Sequence, residues 1–333
     1  MREVPHFSYP PWASYDGQFY AQRALDPLCR DPQVDHAMDL AAFRARRILF
    51  SWTAYALGFG RPVWIIEIYA LQNVVCWLLL AWLLARWIPP VTGRGLALWT
   101  ACLFSHGLLW SVRFALLDGP SLLFIALAVR AVEAGRPLVS AAIVGIAGLG
   151  RETNVLVVAA QPFPRDRRGW IRLAIAIALA AFPLLIWEDY LRSIYRSTIT
   201  AGAEPEMVMP GTLLAARWMQ TLAELRKQGI LSGAWLGFGA VTAVIAQAIY
   251  VLVRPELRAA WWRAAVPYVA LLLILDRTLV DPNTGAITRV LLPLTAGFNI
   301  LLTRETHRVR FWSWFAVGNL HLLWAWRVMP LLG

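Results

Sequence analysis

The sequence predicts an all-α membrane protein, a polytopic bundle of about ten membrane segments. Three observations lead there. Of the 333 residues, 59% are hydrophobic and only 15% are charged, against about 25% charged in an ordinary soluble domain. Mean hydropathy is +0.55. Apolar runs near bilayer-spanning length recur from one end to the other.

The elements follow in order. Residues 1–44 are a mixed polar segment holding Tyr15-Asp16-Gly17-Gln18-Phe19-Tyr20 and, further on, Ala24-Leu25-Asp26-Pro27. Asp16-Gly17 predicts a turn, because Asp tolerates turn geometry and Gly adds backbone freedom. Phe19 to Leu25 predicts a short helix that stops ahead of Pro27. Arg44, Arg46 and Arg47 introduce the run Ile48–Leu57, too short to span and aromatic in character, which fits a helix lying in the membrane interface. Spans are expected near 63–87, 96–113 and 118–133. Two half-length apolar pieces, 137–150 and 153–164, flank Arg151-Glu152. Further spans are expected near 171–187, 232–253, 262–275, 289–303 and 311–330. Thr212 to Gln228 reads as an amphipathic helix on the outer face. One helical domain is expected throughout, with 1–61 as an extracytoplasmic loop bearing interfacial helices and 62–333 as the bundle.

Charge sets the orientation. The net charge is +11, with a single lysine, Lys227. The short loops holding Arg86/Arg94, Arg130/Arg136, Arg165/Arg167/Arg168/Arg172, Arg254/Arg258/Arg263 and Arg304/Arg308/Arg310 contain only four acids, Glu133, Asp166, Glu256 and Glu305. These loops are assigned to the cytoplasm. Residues 1–61, Asp118, Arg151-Glu152, 188–230 and 276–289 then fall outside, and a common extracytoplasmic site accounts for that clustering. Basic residues placed between hydrophobic spans are topology signals, so the basic balance does not indicate nucleic acid. Cys29, Cys76 and Cys102 are too scattered for a disulfide framework or a zinc site. The N-terminus Met1 to Pro11 has no apolar core of a cleavable signal peptide.

The string Tyr-Asp-Gly-Gln-Phe-Tyr with its Ala-Leu-Asp-Pro end resembles the first extracytoplasmic loop of bacterial membrane glycosyltransferases of the GT-C class, in the branch associated with cell-surface glycopolymers. The order of features is similar too. A membrane-parallel helix (Arg47 to Leu57) precedes a span, Arg113–Pro120 occupies the place of a second acidic site, and Gly148–Thr153 lies between two half-spans. The resemblance covers roughly residues 8–165 and, more weakly, the region of Arg289. Members of the class carry a transmembrane helix ahead of the acidic loop, whereas this sequence opens almost on the loop. Either the start lies downstream of a first span or the chain is without one.

The resemblance implies transfer of a sugar from a polyprenyl-phosphate donor to a cell-envelope glycan or lipid acceptor, at the outer face of a bacterial inner membrane. Phosphate leaves as a stable anion, so such chemistry needs one base for the acceptor hydroxyl and cations for the phosphate. Asp16 is the expected base. Tyr15, Gln18 and Tyr20 are expected to bind substrate hydroxyls, Asp118 to serve as a second acidic group for acceptor or metal, Arg151 and Arg289 to hold the donor phosphate, and Glu152 to orient Arg151 or the acceptor. The bland alternatives are a turn former for Asp16, a helix N-cap for Asp118, a self-neutralising pair for Arg151-Glu152 and an interfacial anchor for Arg289. Arg277 reads as salt-bridged to Asp276, Glu188-Asp189 as a helix end, and His106 as a polar group packed against a neighbouring helix. Trp12 fits the interfacial belt or a sugar platform. No cofactor is demanded by the sequence, and a divalent metal is compatible with it. The rival functions are a transporter or flippase for a lipid-linked saccharide and a non-catalytic subunit of an assembly complex.

Overall fold

The structure is a computed structural model that describes residues 16–195, 209–229, 234–275 and 286–325. Among the described residues there are helices and connecting turns and no strand. The N-terminal part is a stack of short helices: α1 (Gly17–Arg23), α2 (Pro32–His36), α3 (Ala41–Ala45) and α4 (Leu49–Leu57). The bundle follows with α5 (Pro62–Leu84), α6 (Gly93–Leu103), α7 (His106–Arg113), α8 (Asp118–Glu133) and α9 (Pro137–Gly148). A 3₁₀ segment, Glu152–Ala160, leads to α10 (Arg167–Tyr195), α11 (Thr212–Gln228), α12 (Ala234–Val253) and α13 (Ala260–Ile274). The chain closes with α14 (Ala286–Val290), α15 (Leu292–Leu302), α16 (Arg308–Gly318) and α17 (Leu322–Ala325).

Three helices, α5, α10 and α12, are long and apolar enough to cross a membrane, and the pair α6–α7, bent by 47°, makes a fourth if taken as one broken span. In the most apolar stretches of α5 and α10 only 22% and 11% of residues are buried. Leu78, Trp82, Phe182 and Leu185 all point outward. So large an apolar exterior is uncommon on a soluble monomer, and lipid is the environment that accommodates it. α12 is 61% buried over its apolar stretch and sits in the core with α13 and α15, where Tyr250 meets the Phe298 ring edge-on at 5.2 Å.

Several expected spans are broken or displaced. The run 289–303 is divided at Leu291, with Pro293 in the first turn of α15, where a missing N–H costs nothing. The run 311–330 stops at Gly318, where Asn319 takes a non-helical conformation; its end lies outside the described residues. Glu188-Asp189 does not end a helix, because α10 runs on to Tyr195. One group of polar residues inside the bundle is mutually bonded. Gln247 donates to the Gly318 carbonyl (2.7 Å), Thr295 donates to Gln247 (2.9 Å), and Asn299 and Asn319 exchange bonds of 3.1 and 3.0 Å. These bonds tie α12, α15 and α16 together where lipid offers no alternative partner.

Candidate functional site

The N-terminal stack is built onto the end of the bundle by close backbone contact. A Cβ at Gly17 would stand 1.9 Å from the Phe114 carbonyl oxygen. Gly17 is therefore required because α1 presses against the turn between α7 and α8. The expected backbone freedom is not its reason, since Gly17 is not among the glycines with positive φ. That turn is itself strained at Ala115, whose φ is +48°. On the other flank the Leu49 N–H donates to the Leu149 carbonyl at 3.0 Å, joining the start of α4 to the end of α9. Trp187 of α10 donates to the Ala45 carbonyl at 2.8 Å. Arg23, fully buried, ties α1 to Asp35 and to Tyr195 of α10.

This packing gathers the charges into one network. Asp16 sits at the N-cap position of α1 with helical backbone angles and no side-chain cap bond, so its carboxylate is not engaged by its own helix. It accepts instead from Arg44 Nη2 at 2.9 Å. Arg44 also holds Asp39 through Nε at 3.0 Å and Nη2 at 2.7 Å. Hydrogen bonds from Arg44 keep the Asp39 carboxyl below the usual carboxylate range, against a smaller opposing effect of burial. The Tyr20 hydroxyl accepts from Arg47 at 3.1 Å and from Arg44 at 3.4 Å. Arg47 continues to Glu152 at 3.0 Å, and Arg46 reaches Glu188 at 2.8 Å and Glu152 at 3.7 Å. Burial pushes the Glu152 carboxyl up, yet the Arg47 and Arg46 guanidinia overcome it and hold the group low.

Deeper in, Asp118 is paired with Arg151 and, at 3.3 Å, with Arg289. Arg289 is placed by α14, which lies so close to α7 that a Cβ at Gly107 would be 2.5 Å from the Thr288 carbonyl oxygen. His106 and Thr288 are hydrogen-bonded at 3.1 Å, so His106 packs against a neighbouring helix as expected. It stands at the first turn of α7, beside the break in the bent pair.

The expected site residues thus fare differently. Asp16, Tyr20, Asp118, Arg151, Glu152 and Arg289 converge. Tyr15 lies outside the described residues, as do Trp12, Asp276 and Arg277. Gln18 is on α1 but exposed. Tyr20 is buried, and its hydroxyl is an acceptor for two arginines, so its role is to organise them. Asp118 does not cap its helix. It is the first residue of α8 and makes no side-chain cap bond, and Ser111 Oγ takes the Gly119 N–H at 2.8 Å in its place. Arg151 and Glu152 are not each other's ion-pair partner: the 3₁₀ turn sends Arg151 to Asp118 and Glu152 to Arg47. Arg289 does not begin a span but lies in the last turn of α14.

Sequence reasoning missed Asp39, Arg44, Arg46, Arg47 and Glu188 as members. A signal existed. Arg44, Arg46 and Arg47 are the densest basic cluster on the side assigned to the exterior, where such residues are disfavoured. Charge that defies its topology requires a local partner.

The network is unevenly charged. Two carboxylates, Asp16 and Asp39, share one arginine at its outer edge, and two arginines share the one carboxylate of Asp118 at its floor. Asp16 keeps 38% of its side-chain surface exposed, whereas Asp118 keeps 3%. The outer edge therefore presents an accessible carboxyl group, and two guanidinium groups lie together at the floor. Among the described residues no group of three or more His, Cys, Asp or Glu is arranged to hold a metal ion. Comparison with family models, with curated proteins and with solved structures returns no match.

Proposed function

We propose that the chain is an integral membrane glycosyltransferase of the GT-C class, moving a sugar from a polyprenyl-phosphate donor to a cell-envelope glycan or lipid acceptor. On this reading it is a bundle of about ten membrane segments in a bacterial inner membrane, with the Asp16 network facing outward. The observation that carries the proposal is the polarity of that network, an exposed carboxylate pair a short way from two arginines that share one buried aspartate. Asp16 takes the proton of the acceptor hydroxyl as its oxygen attacks the anomeric carbon. The bond from that carbon to the phosphate oxygen breaks, and the electron pair leaves with the phosphate. Arg151 and Arg289 exchange part of their contact with Asp118 for the phosphate, where planar guanidinium forks suit the geometry. Ground-state pairing of Asp16 with Arg44 keeps the carboxylate aimed.

The test is incubation of the purified chain in lipid nanodiscs with a panel of polyprenyl-phosphate sugars and a hydroxyl acceptor. Transfer or release of sugar by the wild type, lost in Asp16→Asn, is the expected result. Absence of turnover across the panel, with donor still bound, would favour a transporter or non-catalytic subunit. Such a protein would use the same closed ion pairs only to hold its N-terminal helices in place.

A further inference from the structure

The opposite end of α10 carries a second basic feature. Sixteen residues separate Arg172 from Glu188 on this helix, about 24 Å along its axis. There the start of α10, the end of the 3₁₀ segment and the connection between α12 and α13 enclose a cavity of about 640 Å³. Arg165, Arg172 and Arg258 line it, and all three are exposed. Arg263 forms its back wall. That guanidinium is used up structurally, donating to the Ala160 carbonyl at 3.0 and 2.8 Å and to the Leu257 carbonyl at 2.6 Å.

Some of the other arginines at this end have carboxylates, Arg254 and Arg310 pairing with Glu305 and Arg304 with Glu256, while Arg167 and Arg168 on the same turn of α10 form no ion pair among the described residues but do not line the cavity. Among the described residues no ion pair holds Arg165, Arg172 or Arg258. Asp166, adjacent to Arg165 in sequence, spends an oxygen on the Gly169 N–H at 2.7 Å. Three positive charges thus share a concave site without internal neutralisation. Its apolar wall includes Phe163 and Leu257, and its rim continues into Trp170, Ile171 and Ile175 on the outward face of α10. A phosphate-bearing headgroup fits the charge and volume, and an acyl chain fits the apolar face that runs from it along a membrane-crossing helix.

We propose that this cavity binds the headgroup of an anionic phospholipid, with its acyl chain laid along α10. The site is separate from the Asp16 network and does not depend on what that network does. The test uses the purified, delipidated full chain and native mass spectrometry with phosphatidylglycerol or phosphatidylcholine of the same acyl composition. Wild type is expected to retain phosphatidylglycerol by at least about tenfold over phosphatidylcholine, and Arg165→Gln/Arg172→Gln/Arg258→Gln to lose that preference. These side chains are exposed, so an unchanged melting temperature accompanies the loss. A control with the same chemistry elsewhere, Arg226→Gln/Lys227→Gln on α11, retains it. Equal retention of the two lipids by wild type, a preference that survives the triple substitution, or one lost equally in the control overturns the proposal. Displacement of phosphatidylglycerol by an equal concentration of inorganic phosphate would overturn the lipid as occupant.

Discussion

Asp118 and Arg289 lie 171 residues apart in the chain, and Arg289 Nη1 donates to Asp118 Oδ2 at 3.3 Å. The aspartate is buried and holds Arg151 as well. Removing its charge leaves two guanidinia at low dielectric without it. Asp118→Asn should therefore destabilise the fold by about 3–5 kcal/mol, the usual consequence of breaking a buried pair from one side. Thermal melts in detergent check it, and a melting temperature equal to that of wild type would mean the pairs are solvated.

Arg289→Lys should leave the fold in place while weakening donor use, because a planar fork becomes a point charge. Titration of donor against the variant is the measurement. Unchanged donor affinity and turnover would reassign Arg289 to a purely structural role on α14.

Asp16→Asn should reduce transfer by about 10²–10⁴-fold, the usual contribution of a general base. Stability should change little, because Asp39 still neutralises Arg44. Asp26→Asn is the comparison. Asp26 accepts the Asp31 N–H at 2.9 Å and stands 3.5 Å from Arg23, contacts that secure a turn, so its activity should stay near wild type. Retention of more than about a tenth of turnover by Asp16→Asn would move the base elsewhere.

Gly17→Ala should be costly for a reason unrelated to chemistry. Its Cβ would collide with the Phe114 backbone at 1.9 Å, so α1 has to lift from the bundle. A loss of about 1–3 kcal/mol is expected. Gly93→Ala, at a position with nothing within 4 Å of the new Cβ, should change stability by well under about 1 kcal/mol. Melting curves of the two variants, run side by side, decide whether the close approach is as tight as the packing implies.

Acid should loosen the N-terminal stack. Asp39 and Glu152 both titrate below their ordinary values in the folded protein. Groups of this kind contribute stability that is fully present above the unfolded pKa, about 4 for carboxylates, and is lost as pH falls through the folded value. Melting temperature should fall below about pH 4, and Glu152→Gln should flatten the profile while lowering stability at neutral pH. A wild-type profile unchanged by that substitution would remove Glu152 from the acid response.

Much of the secondary structure was legible in the sequence by itself. Apolar runs and their breakers bracketed α5, α8, α9, α11 and α12 within a few residues, because helix formation in an apolar chain depends on neighbours three or four positions away. The singular polarity of Tyr15–Tyr20 and the isolation of Asp118, Arg151, Glu152 and Arg289 in apolar surroundings were equally local facts. Which charge meets which was not local. Arg151 pairs with Asp118 at the start of α8 and Glu152 with Arg47 in the link between α3 and α4, although the two are adjacent in sequence, because the chain turns into the 3₁₀ segment at this point. The sequence around Gly17 predicts a turn, whereas its need for glycine comes from the Phe114 carbonyl packed against it. Ion pairs between residues 28 to 171 positions apart are decided by how helices are pressed together, and only the tertiary structure contains that information.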